Sequence, residues 1–451
     1  MRQERIIQAT MFEVFAEHEI GRELKAISQW LDEHRGLLSL VAGDLRRHGI
    51  QETGRHGLPA EAVVRCALLK QYRQLSYEEL AFHLEDSASF RAFARLPLSW
   101  SPRKSVLHKT ISAISAASWE AINRAAVCSA RQSKLESGTM VRIDSTVTQA
   151  LMHAPTDSSL LWDAVRVMVR LLKQASALPG APSIIWRNHR RLAKKRALAI
   201  QYSRGKAQKA KLYRELIAAT RATVSTLEHA VQRLAAGATI QTELWLGQVR
   251  HYLPLIERII TQAEITQAER RVLAGEAVPS GEKLVSLFET HADIIVKGGR
   301  EVHYGHKLNL TTGKSGLILD VVVETGNPAD AERFLPMLER HIARQGAPPR
   351  QTASDGGYAS LDNLKQAKAL GVEDVAFHKK RALTIDAMVK SRWVYRKLKN
   401  FRAGIEANIS CLKRAFGLAR CTWRGLDHFK AYVWSSVVAY NLTLFARLNP
   451  T

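Results

Sequence analysis

Cysteine is scarce in this chain, with four residues (Cys66, Cys128, Cys411 and Cys421) among 451. They lie far apart and lack the paired spacing of a zinc site, which excludes a zinc ribbon and a disulfide-stapled fold and leaves reduced thiols. Long apolar runs are missing too. No stretch approaches the roughly 18 apolar residues of a spanning helix, and Met1-Arg2-Gln3-Glu4-Arg5 leads into an amphipathic segment rather than the apolar core of a signal peptide. Acidic residues are the third shortage: 42 Asp and Glu face 66 Lys and Arg, a formal charge of +24. No single tail carries that excess, so a polyanionic partner is expected. Nucleic acid is the first reading and an anionic membrane surface the second. The expected compartment is the cytoplasm, with nucleoid association when DNA is bound and no membrane partner. The length suits two or three domains.

Residues 1–135 read as helix after helix. Pro59 opens one, at a position where its missing N–H costs nothing. Ser76-Tyr77-Glu78-Glu79 has capping-box spacing and starts another. Ser105 could cap a longer helix through Val106, Ile111, Ile114 and Trp119. The turn Arg73-Gln74-Leu75 fits either a helix-turn-helix DNA reader or an ordinary helical bundle.

Thr139 to Val147 changes the pattern to alternating β-branched residues, with Val141, Ile143, Ser145 and Val147 on one face and Asp144 on the other. An aspartate among good strand formers is a local conflict of the kind that marks sites. Helix returns over 151–290. Between Arg187 and Arg214 there is no acid, while Arg190, Arg191, Lys194, Lys195 and Arg196 begin a run of cations spread round a helix. A solvated arm and a DNA-backbone contact both fit; self-repulsion on this scale favours the latter, through counterion release.

Strands resume at His303 to Leu310 and Gly316 to Glu324, joined by a turn as a hairpin. A helix through Phe334, Leu335, Leu338 and Ile342 follows. Gln351 to Asp355 is a short strand ending in a carboxylate before Gly356-Gly357-Tyr358; Leu361 to Leu370 is helix and Val375 to Phe377 a last strand. The class is α/β with a mixed sheet. Late in the chain, Arg402, Glu406 and Lys413 share one helical stripe, a carboxylate between two cations. A surface ion-pair ladder gives the same spacing.

Asp144, Asp355 and Glu406 thus stand out separately. Hard oxygen ligands suit magnesium, and two such ions about 3.5–4 Å apart stabilise both oxygens of an in-line phosphoryl displacement. The residues Ile143-Asp144-Ser145-Thr146, Ser354-Asp355-Gly356-Gly357-Tyr358 and the Arg402, Glu406, Lys413 spacing resemble a bacterial insertion-sequence DDE transposase, with the ISNCY-like group as the nearest likeness. Tyr304-Gly305-His306-Lys307 and Gly316 to Asp320 look like its second and third strands, and Leu58 to Leu96 like its helical preceding domain.

The resemblance implies an RNase H-like core from 136–150 and 291–451, an N-terminal helical domain (1–135) that binds DNA ends, and a basic helical insertion (151–290). It implies that Asp144, Asp355 and Glu406 hold two Mg2+ ions, which Mn2+ can replace, and that Arg402, Lys413, Lys399 and Lys307 face DNA. The implied reaction is hydrolysis at the terminal inverted repeats, then 3′-hydroxyl strand transfer into target DNA by a homodimer or larger assembly. The chain departs from the motif at Lys399, where the family has tyrosine; Tyr395 is the available substitute. Its insertion also follows the first strand, where some relatives place one between the second Asp and the Glu.

His153, His303, His306 and His378 lack zinc-site spacing and read as structural or phosphate-facing, and Tyr358 and Trp423 as core rather than base-stacking. Asp320 lacks the glycine turn that follows Asp355. Two other readings share these residues: a nuclease of the same fold that does not join strands, and a transposase-derived DNA-binding protein. A DNA-packaging protein would explain the charge but not the strands.

Overall fold

The computed structural model of the chain describes residues 18–48, 57–97, 99–179, 183–235, 239–267, 281, 283–297, 301–378 and 383–449. The reading of Met1 to Arg5 lies outside them. Residues 1–151 and 305–451 make one compact unit and residues 152–304 a second.

The first unit begins with helices α1 (Glu19–Glu33), α2 (Gly36–Arg47), α3 (Ala60–Tyr72), α4 (Tyr77–Asp86), α5 (Ala88–Phe93), α6 (Lys104–Ile111) and α7 (Ala116–Gln132). The capping box forms as its spacing requires: Glu79 N–H donates to Ser76 Oγ at 3.1 Å and Ser76 N–H donates to Glu79 Oε2 at 2.7 Å. Pro59 sits at the N-cap of α3, one place earlier than a first-turn proline. The long helix expected from Ser105 is instead two. Ser115 caps α7, and the buried Asp44 accepts Ser115 N–H at 2.8 Å and Ser118 Oγ–H at 2.6 Å, which holds the break open between α6 and α7.

Strand β1 (Met140–Gln149) ends this part of the first unit. The second unit then supplies α8 (Asp157–Ser176), α9 (Arg190–Tyr202), α10 (Lys206–Leu234), α11 (Ile240–Gln267) and β2 (Asp293–Lys297), a strand the sequence pattern had not suggested. Its helices share a core that includes Leu161, Met168, Leu172, Leu216, Leu227, Ile256 and Ile260. The basic helix α9 contributes to it: Ala193, Ala197 and Ile200 form a narrow buried stripe at helical spacing. Its charge is therefore confined to the rest of the surface rather than spread all round.

The unit boundary falls within β3 (Glu301–Thr312), and the first unit continues through β4 (Ile318–Val323), α12 (Asp330–Gln345), β5 (Gln351–Ser354), α13 (Leu361–Ala369), β6 (Asp374–Phe377), α14 (Ile385–Met388), α15 (Arg392–Ala415) and α16 (Leu426–Leu448). In the sheet β1 lies between β3 and β5, β6 flanks β5 and β4 pairs with β3. The β1–β3 and β3–β4 pairs are antiparallel, whereas β1–β5 and β5–β6 are parallel. Glu136, almost fully buried, accepts Ser315 N–H at 2.9 Å and Gly138 N–H at 2.8 Å, fastening the β3–β4 turn to the approach to β1.

The N-terminal helices do not form a domain apart. The apolar α16 runs among α1, α3 and α7, nearly every residue from Phe429 to Thr443 buried, and polar contacts fix its register. Gln71 donates to Ser435 and Ser436, and Asn441 accepts Ile318 N–H at 2.9 Å while donating to Ile318 O and Asn123 Oδ1. Replacing Asn441 with Leu removes the partner of the buried Ile318 N–H on β4 and of Asn123 Oδ1 on α7, while Ile318 O keeps Asn123 Nδ2 at 3.2 Å; the cost is about 1–3 kcal/mol per group left unpaired. Denaturant unfolding of Asn441→Leu should show a loss of about 2–4 kcal/mol, and a loss below about 0.5 kcal/mol would show that the network does not hold α16.

Candidate active site

The sheet register decides where the first two carboxylates lie. Ile143 on β1 is paired with Ser354 on β5, so the residues that follow, Asp144 and Asp355, stand side by side on neighbouring parallel strands. Asp355 comes immediately after β5, at the start of the 3₁₀ turn Gly356–Tyr358. Glu406 approaches from α15. Arg402, one turn before it, joins all three: Nη2 is 3.2 Å from Asp144 Oδ2 and 4.0 Å from Asp355 Oδ1, and Nη1 is 2.9 Å from Glu406 Oε1. Three carboxylates from three elements meet at one guanidinium.

Their exposure is graded. The side chain of Asp144 is 13% exposed, that of Asp355 43% and that of Glu406 64%. Asp144 forms the floor and Glu406 the rim. Arg402 is 13% exposed, and its Nε is buried without a hydrogen-bond partner among the described residues. The cluster therefore keeps an unmet donor inside a group of acceptors.

Two family models match the chain. One described as "Transposase DDE domain" covers residues 287–442 and one described as "Transposase domain (DUF772)" covers residues 13–114. The chain belongs to the DDE transposases. Comparison with curated proteins and with solved structures returned no match. The first match includes Asp355 and Glu406; Asp144 lies before it, on the strand that pairs with β5. The second covers the helices α1 to α6 in full and ends two residues before α7.

Oxygen donors from Asp144, Asp355 and Glu406 are the right chemistry for a hard divalent cation, and they already converge on one positive group. They are spaced around a guanidinium rather than an ion: among the described residues no three His, Cys, Asp or Glu side chains come together as a metal site. Histidines do not add to the set. His306 is fully buried, with Nδ1 2.9 Å from Glu324 O and its ring against Phe429; His153 lies 3.7 Å from Asp163. Asp320 is buried between Arg340 at 2.7 Å and Arg344 at 2.9 Å and is committed to those ion pairs.

The other cations divide by burial. Arg190, Arg191, Lys194, Lys195 and Lys399 are exposed, whereas Arg196 pairs with Glu215 at 2.5 Å. Lys307 does not fit a DNA contact. It is 7% exposed, donates to Pro328 O at 2.8 Å and pairs with Asp330 at 2.5 Å, tying β3 to α12. Tyr395 is committed as well, its hydroxyl donating to Phe377 O at 3.0 Å at the end of β6. Tyr358 and Trp423 are core residues: Tyr358 donates to Asn309 Oδ1 and Trp423 packs edge-on against Tyr432.

Sequence reasoning missed Arg142. It is buried in β1, two residues from Asp144, and reaches α15: Nη1 donates to Phe401 O and Nη2 to Asn408 Oδ1, both at 2.6 Å, while Nε donates to Thr312 Oγ1 at 2.8 Å. The guanidinium also stacks over the Phe401 ring. Burial lowers its pKa without removing the charge's partners. The signal was present: a charged arginine stands in the same strand as Asp144, two residues before it, among apolar and β-branched neighbours.

Gly404 makes that reach possible, because a Cβ there would overlap Arg142 Nη1. Gly404→Ala should destabilise the transposase by about 1–3 kcal/mol, by overpacking. In an Arg142→Ala background the same change should become neutral or stabilising, since alanine is the better helix former by about 1 kcal/mol. Equal penalties in both backgrounds, measured by chemical denaturation, would remove Gly404 from this role.

Proposed function

We propose that the chain is an insertion-sequence transposase of the ISNCY-like group whose RNase H-like core cuts transposon ends and joins the freed 3′-hydroxyl to target DNA. The observation that carries this reading is the convergence of Asp144, Asp355 and Glu406 on Arg402. The order of β4, β3, β1, β5 and β6, antiparallel on one side of β1 and parallel on the other, supports the proposed core.

Asp144, Asp355 and Glu406 would hold divalent magnesium, which when bound supplies an activated attacking oxygen and a stabilised leaving oxygen. The protein's own work is arrangement. Asp144 and Asp355 are fixed by strand register, Glu406 by the anchoring of α15 through Arg142, and Arg402 keeps the three acids from repelling one another until DNA arrives. Its guanidinium, with five donors in a planar fork, then serves to grip a phosphate oxygen. Exposed Arg190, Arg191, Lys194 and Lys195 on α9, with Lys399 on α15, would take sugar-phosphate backbone. Two ends must be cut together for an element to move, so a homodimer or larger complex on DNA belongs to this reading.

A cleavage and strand-transfer assay with DNA carrying the ends that flank the gene tests it. Asp144→Asn, Asp355→Asn and Glu406→Gln should each lower cutting by about 100-fold or more while DNA binding persists. Cutting within a few-fold of the native rate in any one of them would remove that residue from the site. Cut but unjoined products would instead support a nuclease of the same fold.

Arg402→Met makes a second prediction. Without the guanidinium the three acids face one another unscreened, so the variant should lose thermal stability in chelator and regain more of it on Mg2+ addition than the native chain does. An identical Mg2+ response in both proteins would show that Arg402 does not share the acids' cation position.

A further inference from the structure

A cavity of about 460 Å³ opens in the first unit between the α3–α4 turn and the C-terminal part of α15. Its wall carries three cations, Lys70, Lys413 and Arg420, against one acid, Glu79. Glu79 is engaged in the capping box with Ser76, which holds it ionised, and its charge offsets part of the positive excess. The lining also holds Gln74 and Tyr77. Gln74 is fixed in a left-handed conformation (φ 51°) and donates from its side chain to Arg414 O, which fastens the turn to the end of α15.

Lys70 is the telling residue. It is only 5% exposed, yet no carboxylate lies within ion-pair distance of it among the described residues; its ammonium sits over the Tyr77 ring at 4.9 Å. Burying a cation with no ion-pair partner is costly, and loss of the proton or arrival of an anion relieves that cost. Burial accordingly lowers its pKa to about 8, where part of the population still carries the proton. A cavity of this volume is in the range that holds a small organic ligand, and its wall sets three cationic donors beside Gln, Ser, Thr and Tyr groups that can donate or accept.

Lys413 sets the direction of approach. It lies seven residues beyond Glu406 on α15, about 10 Å along the helix, a span of roughly three stacked nucleotides. We propose that the cavity is a phosphate-ester site that receives one phosphorylated nucleotide of the DNA strand running from the carboxylate cluster, with Lys70 as its buried anion partner. The phosphate-ester chemistry stands on the cavity alone; DNA as its source rests on the function proposed above.

Full-length protein treated with pyridoxal 5′-phosphate, an amine-reactive phosphate ester, then reduced with borohydride and mapped by peptide mass, reads the site directly. Lys70 should be labelled ahead of the exposed lysines, and thymidine 5′-monophosphate should protect it. A 5′-phosphorylated single-stranded oligonucleotide should protect at a concentration at least tenfold lower. Protection by the mononucleotide at equal or lower concentration than the oligonucleotide would overturn the strand as the source, and no protection by either would overturn the site.

Lys70→Met and Arg420→Gln should each weaken thymidine 5′-monophosphate binding, measured by equilibrium dialysis, at least tenfold. Affinity within twofold of native in both would also overturn the proposal. Asp144→Asn separates the two readings, because it should keep Lys70 protection whether or not DNA is cut.

Discussion

Three carboxylates drawn from two strands and a helix repel one another at any separation short enough to be useful, so a fold that gathers them must supply a cation among them. Arg402 is that cation. It lies one helical turn before Glu406, within 3.2 Å of Asp144 and 4.0 Å of Asp355. An i to i+4 pair of this kind on an exposed helix contributes only a few tenths of a kcal/mol. Here Arg402 and Asp144 are each only 13% exposed, and with most water excluded the effective dielectric is lower and the same guanidinium matters more.

The position of Arg402 depends in turn on the placement of α15 over the sheet, and that is the work of Arg142. Its three donors reach Thr312 on β3, the Phe401 carbonyl and Asn408 on α15. Asn408 continues the chain of contacts to Gly316 O in the β3–β4 turn. A buried arginine whose donors are distributed in this way specifies rotation and height of a helix, which apolar packing by Ile405 and Leu412 alone leaves less sharply defined. The glycine at 404 follows from the same requirement. Sequence, packing and the site's geometry are linked through one side chain that touches no substrate.

Much of this was legible because it rests on local rules. Strand periodicity placed Asp144 and Asp355, capping-box spacing placed α4, and the turn between His303 and Glu324 placed the β3–β4 hairpin. What could not be read depended on partners distant in sequence. Ser105 looked as good a helix cap as Ser115; the difference is Asp44, seventy-one residues away, which accepts from Ser115 and Ser118. Lys307 looked like a cation for DNA because its strand resembled a family strand, but Asp330 and Pro328 O hold it inside. The N-terminal helices read as a domain because their pattern is self-contained, whereas α16, more than three hundred residues later, packs among them.

The same lesson applies to charge. A formal +24 suggests a surface densely covered in cations, yet several of the arginines are internal struts. Arg65 is fully buried and donates to Glu61, Ser28, Asp32 and the Phe93 carbonyl; Arg95 pairs with Asp32 and Glu61; Arg340 and Arg344 enclose Asp320. Each such group is matched by acids or carbonyls and contributes little to the field outside. Many cations nevertheless remain exposed, among them Arg103, Lys104 and Lys109 about α6, Arg190, Arg191, Lys194 and Lys195 on α9, and Lys397 and Lys399 on α15. The net charge of such a surface acts mainly by steering a polyanion toward it over distances comparable to the Debye length.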